Sequence, residues 1–135
     1  MKTKLILLMV FVAGIMNAQN KLTIAVDGIE KVKGNVLVAV YDKENFMKKP
    51  VYIGYAKVDA ETVNVIIENV KPGEYAISLY QDENGNNKLD MGTFGPTEKY
   101  GFSNNAKGMM GPPKYEDCKF PVEENEDTEI SITIM

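Results

Sequence analysis

Apolar and polar residues alternate with a period of two along most of this chain, and that period predicts strands. Leu22, Ile24 and Val26 alternate with Thr23, Ala25 and Asp27 until Gly28 breaks the run. Gly34 opens a second run with Val36, Val38 and Val40 on one face. Its other face, Leu37, Ala39 and Tyr41, is apolar too, which predicts a central strand. Asp42 to Pro50 is polar and reads as a loop or a short helical turn around Phe46 and Met47. Val51 to Val58, Thr62 to Ile67 and Tyr75 to Tyr80 are three further strands. Pro72-Gly73 sets a tight turn before the last of these, with glycine free to take the positive φ of a type II turn. Lys119 to Val122 and Glu129 to Met135 complete the set, with Ile130, Ile132 and Ile134 in phase.

That makes about seven strands at short spacing and no convincing amphipathic helix. The pattern predicts an all-β fold, an antiparallel β-sandwich of the immunoglobulin or prealbumin kind. One connection, Asp82 to Asp117, is too long to be structureless inside a compact domain. Cys118 and the acids before it are placed on a strand by this reading, so Glu116 and Asp117 point to opposite faces.

The first eighteen residues do not belong to this pattern. Lys2 and Lys4 precede an uncharged apolar run from Leu5 to Ile15, and Ala18 supplies a small residue before Gln19. The run has the length of a signal-peptide core and is too short to span a bilayer. The expected organisation is a signal peptide over 1–18, one domain over 19–135, and a secreted or periplasmic location with no stable membrane insertion of the mature chain.

Charge and composition then narrow the chemistry. The leader takes two of the 15 basic residues and none of the 19 acids, which moves the net charge from −4 to −6. An acidic surface argues against nucleic acid and against anionic membranes. Every basic residue is lysine, so no bidentate arginine clamp exists. The chain has no His and a single Cys, Cys118. That removes Ser-His-Asp triads, Cys-His dyads, histidine-ligated zinc and any disulfide within the chain. The expected protein is not an enzyme. A hydrolase working through acids of the 82–117 segment is the weaker alternative, and a purely structural domain with an inert loop is another.

One segment carries candidate chemistry. In Asp82-Glu83-Asn84-Gly85-Asn86-Asn87-Lys88-Leu89-Asp90, oxygen side chains fall at relative positions 1, 3, 5 and 9. That is the spacing of an EF-hand-type calcium loop, with the carbonyl of Lys88 at position 7 and Asn87 at the sharp bend. Calcium takes six to eight hard oxygens, and a chain wrapped once around the ion presents alternate residues to it. The candidate ligands are Asp82, Asn84, Asn86, Lys88 and Asp90. Thr93 stands where a bidentate acid is usual, and Glu98 and Asp42 are candidates for the missing carboxylate. Asn84-Gly85 could equally make an ordinary hairpin turn that binds nothing. Downstream, Tyr100, Phe102 and Tyr115 could form an aromatic binding surface for a protein or a saccharide, or plug the open end of the sandwich.

Several stretches together resemble a known family. Asn69-Val70-Lys71-Pro72-Gly73-Glu74-Tyr75, the segment Gln81 to Asp90, Tyr100-Gly101-Phe102-Ser103-Asn104-Asn105-Ala106, Gly111-Pro112-Pro113 and Tyr115-Glu116-Asp117 resemble a secreted bacterial family catalogued as domain of unknown function 2141. That family usually shows a His before the loop and a Gly at its bend, where this chain has Gln81 and Asn87. The resemblance implies export and a β-sandwich, and it supplies no activity. The Pro-Gly turn is also similar to those of prealbumin-like and carboxypeptidase-regulatory-like modules, which are accessory.

Overall fold

The computed structural model describes residues 20–135; the expected signal peptide of residues 1–18 lies outside the described residues. All seven strands read from the period-two pattern are present. They are β1 (Leu22–Asp27), β2 (Asn35–Tyr41), β3 (Tyr52–Lys57), β4 (Val63–Ile67), β5 (Gly73–Asp82), β9 (Phe120–Val122) and β10 (Thr128–Thr133). The long connection adds three short ones: β6 (Met91–Gly92), β7 (Gly95–Pro96) and β8 (Tyr100–Phe102).

The strands form a β-sandwich. One sheet has the order β10-β1-β4, the other β3-β2-β5-β8 with β9 also paired to β5. Pairing is antiparallel throughout except between β1 and β10, which run parallel in the register Leu22↔Thr128 to Asp27↔Thr133. Alternation decides which residues lie between the sheets. Leu22, Ile24, Val26, Val65 and Ile132 from one sheet meet Val36, Val38, Val40, Ile77 and Leu79 from the other, all at or close to zero exposure. Among the described residues the core runs from Leu22 to Ile134.

β8 and β9 lie end to end on the same edge of β5, against Ser78–Tyr80 and Gly73–Tyr75. Between them the N–H of Ile77 has no strand partner. The hydroxyl of Ser103, wholly buried, accepts that N–H at 2.9 Å and donates to the carbonyl of Cys118. An unpaired backbone N–H at this depth costs about 1–3 kcal/mol, so Ser103 is what lets the chain leave the edge and return to it.

The structure corrects the reading of Tyr115–Cys118. This segment is a single turn of α-helix, α1, closed by Lys119 N–H on the carbonyl of Tyr115 at 3.0 Å. Tyr115 and Cys118 are three apart and share the buried face, while Glu116 and Asp117 both face solvent. Four residues are too few for a helical period to show against the strand that follows. Among the described residues no helix is long and apolar enough to cross a membrane.

Candidate functional site

The loop begins where β5 stops. Asp82, the last residue of β5, has no exposed surface. Its carboxylate accepts the N–H of Gly85 at 3.1 Å through Oδ1 and the N–H of Asn87 at 2.8 Å through Oδ2. Those two bonds draw the chain into a tight turn about the carboxylate. Asn87 sits at φ 59°, the left-handed backbone that the bend position needs and that asparagine tolerates better than most residues. The connection before β2 packs closely behind. Gly34, at φ +70°, faces the carbonyl of Asp82 so closely that no other residue fits there.

Asn84, Asn86 and Asp90 converge inside the turn. The Asn84 amide donates to Asp90 Oδ2 and the Asn86 amide to Asp90 Oδ1 at 2.6 Å. The amide oxygens accept backbone N–H groups two residues on, from Asn86 and Lys88. Rotation of each amide would exchange nitrogen for oxygen and turn two acceptors toward Asp90 in place of two donors.

Glu98 completes the arrangement. It is 7% exposed, and its carboxylate accepts the N–H of Glu83 at 2.8 Å and the N–H of Asp90 at 3.0 Å. One side chain therefore holds both shoulders of the loop. The β6–β7 hairpin brings it there, and Thr97 N–H closes on the carbonyl of Asp90 at 2.8 Å. Asp42, the other carboxylate candidate, is not at the loop. It lies at the far end of β2, where it accepts from the backbone and amide of Asn45.

Three acids thus border one loop. The hydroxyl of Tyr80 registers all three: burial first, then Asp82, Glu98 and Asp90, hold it above the usual tyrosine range. Among the described residues no lysine forms an ion pair with Asp82, Asp90 or Glu98. Hydrogen bonds satisfy these carboxylates in place of ion pairs, and buried charge of one sign is costly. Among the described residues no three His, Cys, Asp or Glu side chains stand together as a ready metal cage. A ligand set here would need amide and carbonyl oxygens beside the carboxylates. Such all-oxygen donors suit a hard cation of the calcium type.

Gln81 is also wholly buried, but it points away from the loop, into the sandwich. Its amide donates to the carbonyls of Lys31 at 2.7 Å and Lys33 at 2.9 Å and so ties down the β1–β2 connection.

The three aromatic candidates part company. Tyr100 and Phe102 share the outer face of the five-stranded sheet, with ring centroids 6.1 Å apart and edge to face. Tyr100 is 39% exposed, whereas Phe102 is covered. Tyr115 is buried in a small second core with Phe102, Ala76 and Cys118, against Phe46. Its hydroxyl donates to Glu74 at 3.1 Å and is pushed up to about 12, by burial first and then by that bond. The thiol of Cys118 is pushed up to about 11 by burial and by Asp117. Strand register instead sets Tyr100 beside Tyr80, Leu37 and Tyr55 in one row across four strands. The apolar second face of β2 carried that signal in the sequence, where it reads as burial rather than as an open face.

The family model described as an uncharacterized protein conserved in bacteria, DUF2141, matches residues 24–131, and the chain belongs to this family. No curated protein and no solved structure matches it.

Proposed function

We propose that this DUF2141 member is a non-catalytic, exported β-sandwich module whose Asp82–Asp90 loop holds a calcium ion. The observation that carries the reading is the placing of Asp82, Asp90 and Glu98 around one loop, two of them buried, with no ion-pair partner among the described residues. Asp82 and Asp90 would supply carboxylate oxygens, Asn84 and Asn86 amide oxygens, and Lys88 its carbonyl. Glu98 would keep the loop in shape. The ion would supply positive charge and fix the segment that follows, from Met91 to Lys114. A binding role rests on the absence of histidine and the burial of Cys118, which leave no imidazole base and no exposed thiol. A protein or saccharide partner would meet the row of Tyr55, Tyr80 and Tyr100, whose uncharged ring faces can stack.

An inert turn is the competing reading, and the closed hydrogen-bond set between Asn84, Asn86 and Asp90 favours it. Calorimetric titration separates the two. With so few acids the dissociation constant should fall at about 10⁻⁴–10⁻³ M. At calcium roughly ten times a millimolar constant, the folded state gains about 1.4 kcal/mol. Magnesium should do much less, because it demands a tighter octahedron. Asp90→Asn should abolish both the heat and the shift in melting temperature. If calcium gives no heat and the melt matches that in chelator, the loop is only a turn.

A further inference from the structure

At the loop end of the molecule the outer surface turns apolar. A groove of about 540 Å³ runs between the long connection and the sheet face, and its walls include Met47, Leu89, Met91, Phe94 and Met110. Phe94, Met109 and Met110 are fully exposed and Met91 is 68% exposed, so they stand out from the surface. Met47 and Met110 take left-handed backbone, at φ 58° and 59°. An L side chain pays conformational strain there, so local preference does not explain methionine at either position.

Lysines surround this patch in an acidic protein. Lys48 follows Met47, Lys88 precedes Leu89, Lys107 precedes Gly108 of the groove wall, and Lys114 follows Pro112-Pro113. These four and Lys49 are all exposed, and none forms an ion pair among the described residues. From Lys99 to Tyr115 the chain carries three lysines and no acid. The nearest acid in sequence to the apolar tips, Asp90, is turned into the loop.

We propose that this patch is a reversible docking site for an anionic lipid surface, with Phe94, Met91, Met109 and Met110 entering the headgroup boundary and the lysines meeting lipid phosphates. Apolar side chains ringed by lysine are the chemistry of an interfacial anchor, in which shallow burial and headgroup attraction add. The charge also argues against a second copy. A two-fold contact would set the same lysine-flanked patch of both copies face to face. The net charge of −6 after residue 18 is a property of the whole surface, whereas screening limits the field at a bilayer to about 8–10 Å, the range in which unpaired lysines beside the patch act.

The test is vesicle co-sedimentation of the chain from Asn20 onward, which carries the core residues of both sheets. Chelator is present throughout, so the result does not depend on calcium at the Asp82–Asp90 loop. Phosphatidylcholine vesicles with about one-third phosphatidylglycerol should pull down the protein, and pure phosphatidylcholine should do so much more weakly. Phe94→Ser with Met110→Ser should lower partitioning to both. Lys107→Gln with Lys114→Gln should cost on the order of tenfold or more on anionic vesicles and little on neutral ones. Each substituted side chain is exposed, and an unchanged melt would confirm that the fold is intact. Three outcomes overturn the proposal: no binding to anionic vesicles, binding that both double variants leave unchanged, or a dimer in sedimentation equilibrium that Phe94→Ser with Met110→Ser dissolves.

Discussion

Removal of Glu98 tests whether one buried carboxylate shapes the whole loop. Glu98→Ala, measured in chelator, takes the acceptor from two backbone N–H groups, those of Glu83 and Asp90. An unsatisfied buried donor costs about 1–3 kcal/mol, and these two are part-buried, so the loss should total about 2–4 kcal/mol. Relief of repulsion with Asp82 and Asp90 offsets some of this. Unfolding entropy of about 2.1 cal/mol/K per residue makes each kcal/mol worth roughly 4 °C for a domain of this size. The melting temperature followed by circular dichroism should therefore fall by about 8–16 °C. Glu98→Gln keeps one acceptor oxygen but turns an NH₂ toward the second N–H, and should lose about half as much. Hydrogen exchange supplies a local readout: the amides of Glu83 and Asp90 should be protected in the wild type and exchange faster in Glu98→Ala. A melt that is unchanged or raised in Glu98→Ala, with exchange at those amides unaltered, would show that the two hydrogen bonds do not hold the loop.

Two further predictions concern the sandwich itself. Gly54 lies on the inner side of β3, where an added Cβ would come within 2.7 Å of Val65 Cγ1 and 3.1 Å of Ile67 Cδ1. Gly54→Ala should cost about 1–3 kcal/mol by overpacking, and an unchanged melt would mean that the sheets are not this close. Stability should also fall steeply in alkali, because burial, acting with neighbouring hydroxyl and carboxylate groups, holds the hydroxyls of Tyr75 and Tyr115 up to about 12. The folded chain keeps those protons longer than the unfolded chain, whose tyrosines titrate near about 10. Their contribution is complete below about pH 10 and is lost as pH rises through about 12; the Cys118 thiol, held up to about 11, adds to the same fall. Denaturant midpoints that stay level from pH 9 to pH 12 would contradict this.

The sandwich was legible because its inner residues alternate over five or more positions, as Leu22 to Val26 and Val36 to Val40 do. Periodicity carries no signal where the element spans little more than one period. β6 and β7 have two residues each, β8 has three and α1 has four, so in sequence they look like irregular chain or strand. The parallel pairing of β1 with β10 joins the two ends of the domain, and no local pattern encodes it. The loop was half legible. Its bend at Asn87 follows from local chemistry, since only a residue tolerant of positive φ closes the turn on Asp82. The place of Glu98 does not, because it depends on the β6–β7 hairpin folding back by eight residues to Asp90.

The same limit explains the aromatic residues, and it sharpens what the outer face is for. Tyr100, Phe102 and Tyr115 are close in sequence, and proximity groups them; strand register separates them. Ser78↔Phe102 places Phe102 under the cover formed by Phe46 and α1, while Tyr80↔Tyr100 places Tyr100 one step beyond that cover. The outer face of the five-stranded sheet is therefore divided. One end is sealed by the long connection as a second small core, and the other keeps Tyr55, Tyr80 and Tyr100 at least partly open to solvent. A sheet that needed only solubility would carry polar residues on that open end. Leu37 and three tyrosines there, beside a methionine-lined groove and the acid-bordered loop, set the proposed binding chemistry on the side shaped by the 82–117 connection.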